Sequence, residues 1–141
     1  MPTPTVFTET IPYAGGYLIS EANHDRSRDT VLLPVGQKVV AGQVLGELTA
    51  SPGEFQARDS AAGDGSEVAS AISIYDRDNT LGTVPLEIVV HSRDIEANEK
   101  MVVLPASANT QADLDSAKVE LAVNGIILRE ADEPQKVFPL N

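Results

Sequence analysis

Apolar and turn-forming residues alternate most regularly between Val31 and Leu48, and this stretch organises the chain. It opens with the short apolar run Val31-Leu32-Leu33, which reads as a buried strand and not a helix because Pro34 and Gly36 follow at once. Gly36, Gly42 and Gly46 recur through it, each able to take backbone angles that strain other residues. Between them lie Val39-Val40 and Val44-Leu45, β-favouring pairs too short for helices. The pattern predicts strand, tight turn, strand, tight turn, strand. This is a folded-over β-unit with an apolar interior, around which the rest of the chain packs.

The same reading extends along the chain. Tyr17-Leu18-Ile19-Ser20 is a short strand, and the polar run from Glu21 to Asp29 a surface loop. In that loop Arg26, Arg28 and Asp29 are placed to form ion pairs. Glu54 to Ala57 is a brief extended piece and Arg58 to Ser66 a loop, with Asp64-Gly65 as a turn. Val68 to Tyr75 alternates as a half-buried strand, Asp76 to Gly82 is a surface hairpin loop, and Leu86 to His91 is a strand. Ile95 to Lys100 reads as a polar connector and Met101 to Pro105 as a further apolar strand. One helix is well marked. Asn109 or Thr110 caps it, Asp113 and Asp115 occupy its early turns, and Asn124-Gly125 stop it. Leu114, Ala117, Leu121 and Ala122 form its apolar face, with Asp115, Lys118 and Glu120 turned to water. Ile126 to Arg129 is a closing strand. The fold class expected is mainly β with one or two short helices.

The two ends read differently from the middle. Pro2, Pro4 and Pro12 oppose helix, while the segment Val6-Phe7-Thr8-Glu9-Thr10-Ile11 favours an extended conformation. In a strand, Phe7, Glu9 and Ile11 share one face, and Val6, Thr8 and Thr10 the other. Such a segment is either a frayed terminus or a strand that adds to a sheet edge on another protein. The tail from Glu130 to Asn141 carries Pro134 and Pro139 and reads as a loose extension, with Val137-Phe138 able to dock.

At 141 residues and 42% hydrophobic content the chain suffices for one core and one domain. It contains no Cys, which removes disulfides, thiolate metal sites and thiol nucleophiles, and suits assembly in a reducing cytoplasm. No signal or transit peptide is visible, and no apolar run approaches the roughly 18–20 residues of a membrane span. The net charge of −11 argues against a nucleic-acid partner, which calls for a basic footprint. Aromatic content of 4% without Trp leaves little for an aromatic-lined groove.

Candidate chemistry is sparse. His24 and His91 are the only histidines, and neither has a ligand-spaced partner. Nor does His91 have a recognisable Ser or Cys nucleophile beside it. Asp76, Asp78, Thr80 and Glu87 fall at positions one, three, five and twelve of a calcium-loop count. Position six is Leu81 where that loop needs Gly, and flanking helices are not evident. The Gly-rich loop near Gly63 and Gly65 lacks the Gly-Lys-Ser/Thr ending of a phosphate cradle. No metal, cofactor or catalytic residue is expected, and the chain reads as no enzyme.

An ordered series of motifs carries a resemblance. It comprises Leu18-Ile19-Ser20-Glu21-Ala22-Asn23, Ser27-Arg28-Asp29, Gly36-Gln37-Lys38, Ala41-Gly42-Gln43-Val44-Leu45-Gly46, Asp64-Gly65-Ser66, and Leu121-Ala122-Val123-Asn124-Gly125-Ile126-Ile127-Leu128-Arg129. Together these resemble the phage lambda head decoration protein D family, in its tailed-phage and prophage branch, across about residues 17–129. The Pro/Thr-rich leader and the acidic tail depart from the pattern, and Met101 to Pro105 lacks the Trp common there. The resemblance implies a compact β-clip-like domain at 17–129, an extended N-terminal arm at 1–16 and a loose tail at 130–141. It implies a structural virion protein that binds as a homotrimer to the major capsid protein of the same phage. Its sites would be three-fold and quasi-three-fold positions on the outer surface of the expanded head, which it braces against packaged DNA after assembly in the host cytoplasm. Neither nucleic acid nor membrane is a partner on this reading. Thr5, Val6, Phe7, Thr8, Glu9, Thr10 and Ile11 become the expected capsid-binding strand.

Two rivals share some of these features. Val35 to Leu45 resembles half of a biotinyl or lipoyl carrier barrel, for which Glu99-Lys100-Met101 offers a poorly matched, misplaced lysine. A small hydrolase would need a nucleophile–base–acid set with local support, which the sequence does not supply.

Overall fold

The computed structural model describes residues 13–105 and 109–130, so the expected capsid-binding strand Thr5 to Ile11 and the tail from 131 onward lie outside the described residues. Ten strands and two helices follow in the order β1 (Leu18–Glu21), α1 (His24–Ser27), β2 (Arg28–Leu33), β3 (Lys38–Val39), β4 (Val44–Glu47), β5 (Phe55–Ala57), β6 (Ala71–Ser73), β7 (Arg77–Asp78), β8 (Leu86–His91), β9 (Ile95–Asn98), α2 (Gln111–Ala122) and β10 (Ile126–Arg129). The fold is mainly β with two short helices, as the pattern predicts.

Five strands form an antiparallel sheet in the order β2-β8-β6-β4-β5. Its two edges meet: Leu32 bridges Glu54, and the Leu32 N–H donates to Gly53 O at 2.9 Å. The sheet thereby curls back on itself and leaves little unpaired edge. Because strand side chains alternate between faces, neighbours on β4 and β6 serve different cores. Leu45 and Ala71 join Leu33, Val39, Ile88 and Val90 in one cluster. Val44 and Ile72 join Tyr17, Ile95, Ala97, Ala117, Leu121 and Ile126 in the other.

That second cluster is roofed by the sheet β1-β9-β10 and by α2. β1 runs antiparallel to β9, and β10 parallel to it. A parallel pair needs a crossover connection, and α2 supplies it. Thr110 caps α2 with a reciprocal capping box to Asp113, and Gly125, at φ +76°, turns the chain into β10.

Several expectations require correction. The three strands around Val31–Leu48 do not pair with one another: β2 pairs with β8, β3 with β7, and β4 with β5 and β6. The turns close locally, but the N–H groups of Gly36 and Gly42 reach out to Asn79 O and Ser73 O, so each strand swings onto a distant partner. Ile95 to Lys100 is no connector. Ile95 and Ala97 are buried in β9, the middle strand of its sheet. Met101 to Pro105 forms no strand ladder, only a bridge from Val103 to Gln43, while Met101 and Leu104 pack into the core. β6 is buried on both faces instead of one, and its Ser73 hydroxyl is satisfied by Tyr75 O at 2.8 Å. The loop Glu21 to Asp29 contains α1 and a fully buried Ser27.

Candidate functional site

What the structure describes of the expected docking segment is its root. Tyr13 to Leu18 forms a tight double turn, with the Gly16 N–H donating to Tyr13 O at 2.9 Å and the Leu18 N–H to Gly15 O at 3.0 Å. A Cβ on Gly16 would stand 2.8 Å from the ring of Tyr13, an exposed side chain free to move aside. The chain then enters β1, which has β9 as its one neighbour among the described residues. Ile19 and Ser20 are exposed on β1, and among the described residues no strand pairs with its outer edge.

The root is fastened to the body by a buried polar chain. Tyr17 is 1% exposed, and its hydroxyl lies 2.5 Å from His91 Nδ1. On the other side of the ring, His91 Nε2 lies 2.6 Å from Glu21 Oε2. Glu21 also accepts from Arg28, Nη2 to Oε1 at 2.7 Å and Nε to Oε2 at 3.1 Å. The Ser27 hydroxyl adds a bond at 3.2 Å. These residues come from the position just before β1, its end, the α1–β2 junction and the last position of β8. The chain therefore joins the three-stranded sheet to the five-stranded one.

Electrostatics sets the direction of these bonds. Hydrogen bonding from Arg28 outweighs burial and, helped by His91, lowers the Glu21 carboxyl to about 2. An ionised carboxylate only accepts, so Nε2 carries the proton toward Glu21, while Nδ1 shares a hydrogen bond with the Tyr17 hydroxyl. Burial raises the Tyr17 phenol far above its ordinary value, which keeps it a donor. Hydroxyl, imidazole and carboxylate stand in the order of a catalytic triad, but Tyr17 is buried as a member of the core cluster. Here the arrangement fastens elements together, and no substrate can reach the oxygen.

The other sequence candidates fall apart in space. Asp76 accepts from the Ala41 N–H at 2.7 Å, Asp78 accepts from the Thr80 N–H and hydroxyl, and Glu87 stands exposed on β8. Among the described residues no group of three or more His or acidic side chains could hold a metal ion. His24 is the first residue of α1. Lys100 is exposed in the turn after β9, but Met101 beside it faces the core.

The expected loop ion pairs exist: Arg28 with Glu21, Arg93 with Asp29, and Arg26 with Asp94. Sequence reasoning missed the pairing of Arg58 with Glu120. Arg58 is 3% exposed, and its Nε and Nη2 donate to the Glu120 carboxylate at 3.0 and 3.3 Å. Glu120 also accepts from the Ala69 N–H at 3.1 Å. Its placement on the water side of α2 is thus corrected: it faces the body because a buried guanidinium waits there. No local signal marks this pair, whose members lie 62 residues apart.

A family model described as Bacteriophage lambda head decoration protein D matches residues 6–126. No curated protein matches the chain.

Proposed function

We propose, from the premise that this chain belongs to the Bacteriophage lambda head decoration protein D family, that it clamps the outer surface of the expanded phage head. Membership makes it a head decoration protein, a structural component of the capsid. The finer reading is that it binds as a homotrimer to the major capsid protein at three-fold and quasi-three-fold positions and braces the shell against packaged DNA. Residues 17–129 form the decoration domain on this reading, 1–16 the arm and 130–141 the tail. Thr5 to Ile11 add to the capsid as a strand.

The observation that carries the reading is the family match from residue 6 to residue 126, which takes in most of that strand. The fastened root supports it. A held root limits the volume the arm searches, which reduces the entropy lost on docking. Three arms on one trimer bind at high effective concentration once the first is seated. Individually weak contacts then persist, but only on a lattice whose spacing fits all three. An unexpanded shell with other spacing forfeits this gain, so maturation is sensed without chemistry. The net charge of −11 suits a protein that faces solvent and not DNA.

Co-sedimentation with expanded and unexpanded shells of the cognate phage tests the proposal. Saturable pelleting with expanded shells alone is the expected result, and no pelleting with either would overturn it.

A further inference from the structure

The tail leaves the fold beside the root of the arm. β9 is the middle strand of its sheet, with β1 on one side and β10 on the other. Leu18, at the start of β1, pairs with Ala97, and Arg129, at the end of β10, pairs with Asn98. Two consecutive amides at the end of β9 hold the two roots. The Asn98 N–H donates to Tyr17 O at 2.7 Å, and the Glu99 N–H to Arg129 O at 3.0 Å. Neighbouring strands lie about 4.8 Å apart, so the chain enters β1 and leaves β10 about 10 Å apart.

Topology produces this nearness. β1 runs antiparallel to β9 and β10 parallel to it, which brings the beginning of one flanking strand and the end of the other to a common end of the sheet. Both roots are also held by side chains. Tyr17 is bonded to His91. Leu128 is buried in the core, Arg129 donates to Glu96 at 3.2 Å, and Glu99 is paired with Lys118 of α2 at 2.7 Å.

The segments that continue from the two roots are alike in chemistry. The arm has Phe7 beside Val6. The tail has Val137-Phe138 after the acidic run Glu130 to Glu133, with Pro134 and Pro139 bracketing Gln135 to Phe138. Two of the three phenylalanines of the chain thus lie in its terminal segments, and Phe55 alone in the body. Phe is enriched at the buried centres of protein interfaces, and proline lowers the entropy lost when a segment is ordered on a partner. Phe138 is the eighth residue after Glu130, so it reaches up to about 26 Å from the tail root. A surface that seats the arm falls within that radius.

We propose that the tail is a second prong of the clamp, with Val137 and Phe138 seated in an apolar pocket of the major capsid protein beside the site that takes the strand Thr5 to Ile11. This rests on the capsid-binding reading above and adds the tail to it. Once the arm is seated, the tail is presented to its pocket at high effective concentration, so a contact too weak to act alone still slows release.

Co-sedimentation with expanded shells is compared for the full chain, for a chain lacking residues 131–141 and for Phe138→Ser, with thermal melts as the folding control. Both variants should melt with the full chain and need at least about tenfold more protein to half-saturate the shells. With a photo-crosslinking phenylalanine analogue at position 138 of the full chain, irradiation on shells should join that position to the capsid protein. Either variant saturating shells like the full chain would overturn the proposal, as would crosslinks confined to the decoration protein itself. Weaker binding accompanied by a lower melting temperature would also overturn it and assign the tail to the fold. A full chain that does not pellet would remove the clamp and the prong together. Binding lost on deleting residues 1–11 but kept on deleting 131–141 would remove the prong alone.

Discussion

The Tyr17 hydroxyl lies 2.5 Å from His91 Nδ1 although 74 residues separate the two. It is a direct bond from the segment entering β1 to the ring at the end of β8. Tyr17→Phe keeps the ring that packs in the core and removes only the donor. A buried polar atom that loses its partner costs about 1–3 kcal/mol, and urea unfolding should show that loss. Amides of β1 should also exchange faster with solvent than those of β4. An unchanged midpoint with unchanged exchange would mean that the hydroxyl fastens nothing.

Glu21 gives the fold an acid-sensitive fastening. Its carboxyl sits at about 2 in the folded chain against 4.5 for the free side chain, chiefly through the Arg28 hydrogen bonds. A depressed folded value means that the carboxylate stabilises the fold above about pH 4.5. That contribution is lost progressively as pH falls toward 2. Glu21→Gln should therefore lower stability at neutral pH and flatten the decline between pH 4.5 and 2. Thermal melts across that range check it; parallel curves for the two proteins would refute the assignment.

Arg58 and Glu120 should behave as a buried pair. Removing the carboxylate with Glu120→Ala leaves a guanidinium in the core without its counter-charge, which costs about 3–5 kcal/mol. Replacing both, as Arg58→Met with Glu120→Leu, should recover most of that loss, because no uncompensated charge remains. Chemical denaturation of the three variants gives the comparison, and a double variant no better than Glu120→Ala would contradict it.

Gly46 is required for space, not for its backbone angles. An added Cβ would stand 2.6 Å from Ser66 O and 2.7 Å from Ser66 Cα, and backbone atoms cannot move aside as a side-chain end can. Gly46→Ala should destabilise by about 1–3 kcal/mol, as overpacking does. Gly36→Ala meets nothing within 4 Å and carries only the cost of its φ of +87°, so its midpoint should fall less. The reverse order would argue against the close approach of β4 to Ser66.

Deleting residues 1–11 should leave the melting temperature unchanged and abolish pelleting with expanded shells. Binding that survives the deletion would remove the arm from the proposed clamp.

Local chemistry was legible in the chain itself. β8 and β10 follow the runs Leu86–His91 and Ile126–Arg129, and α2 begins at the Thr110 cap and stops before Asn124-Gly125. These features depend on side-chain period and capping among residues within four positions of one another. The ordered motifs that carry the family resemblance are local in the same sense. β9 was misread because its apolar alternation consists of only Ile95 and Ala97, set between Glu96 and Asn98. Two positions are too few to distinguish a strand from a loop.

Partnership was decided only in three dimensions. The sequence by itself determined where strands and the main helix form, and which residues could fill a core. The tertiary structure decided that β2, β3 and β4 separate onto distant partners, that His91 stands between Tyr17 and Glu21, and that Glu120 turns inward to Arg58. A hydrogen bond or ion pair across 62 or 74 residues exists only once the sheets have packed. What selects it is the burial of both groups together, which no window of neighbouring residues records.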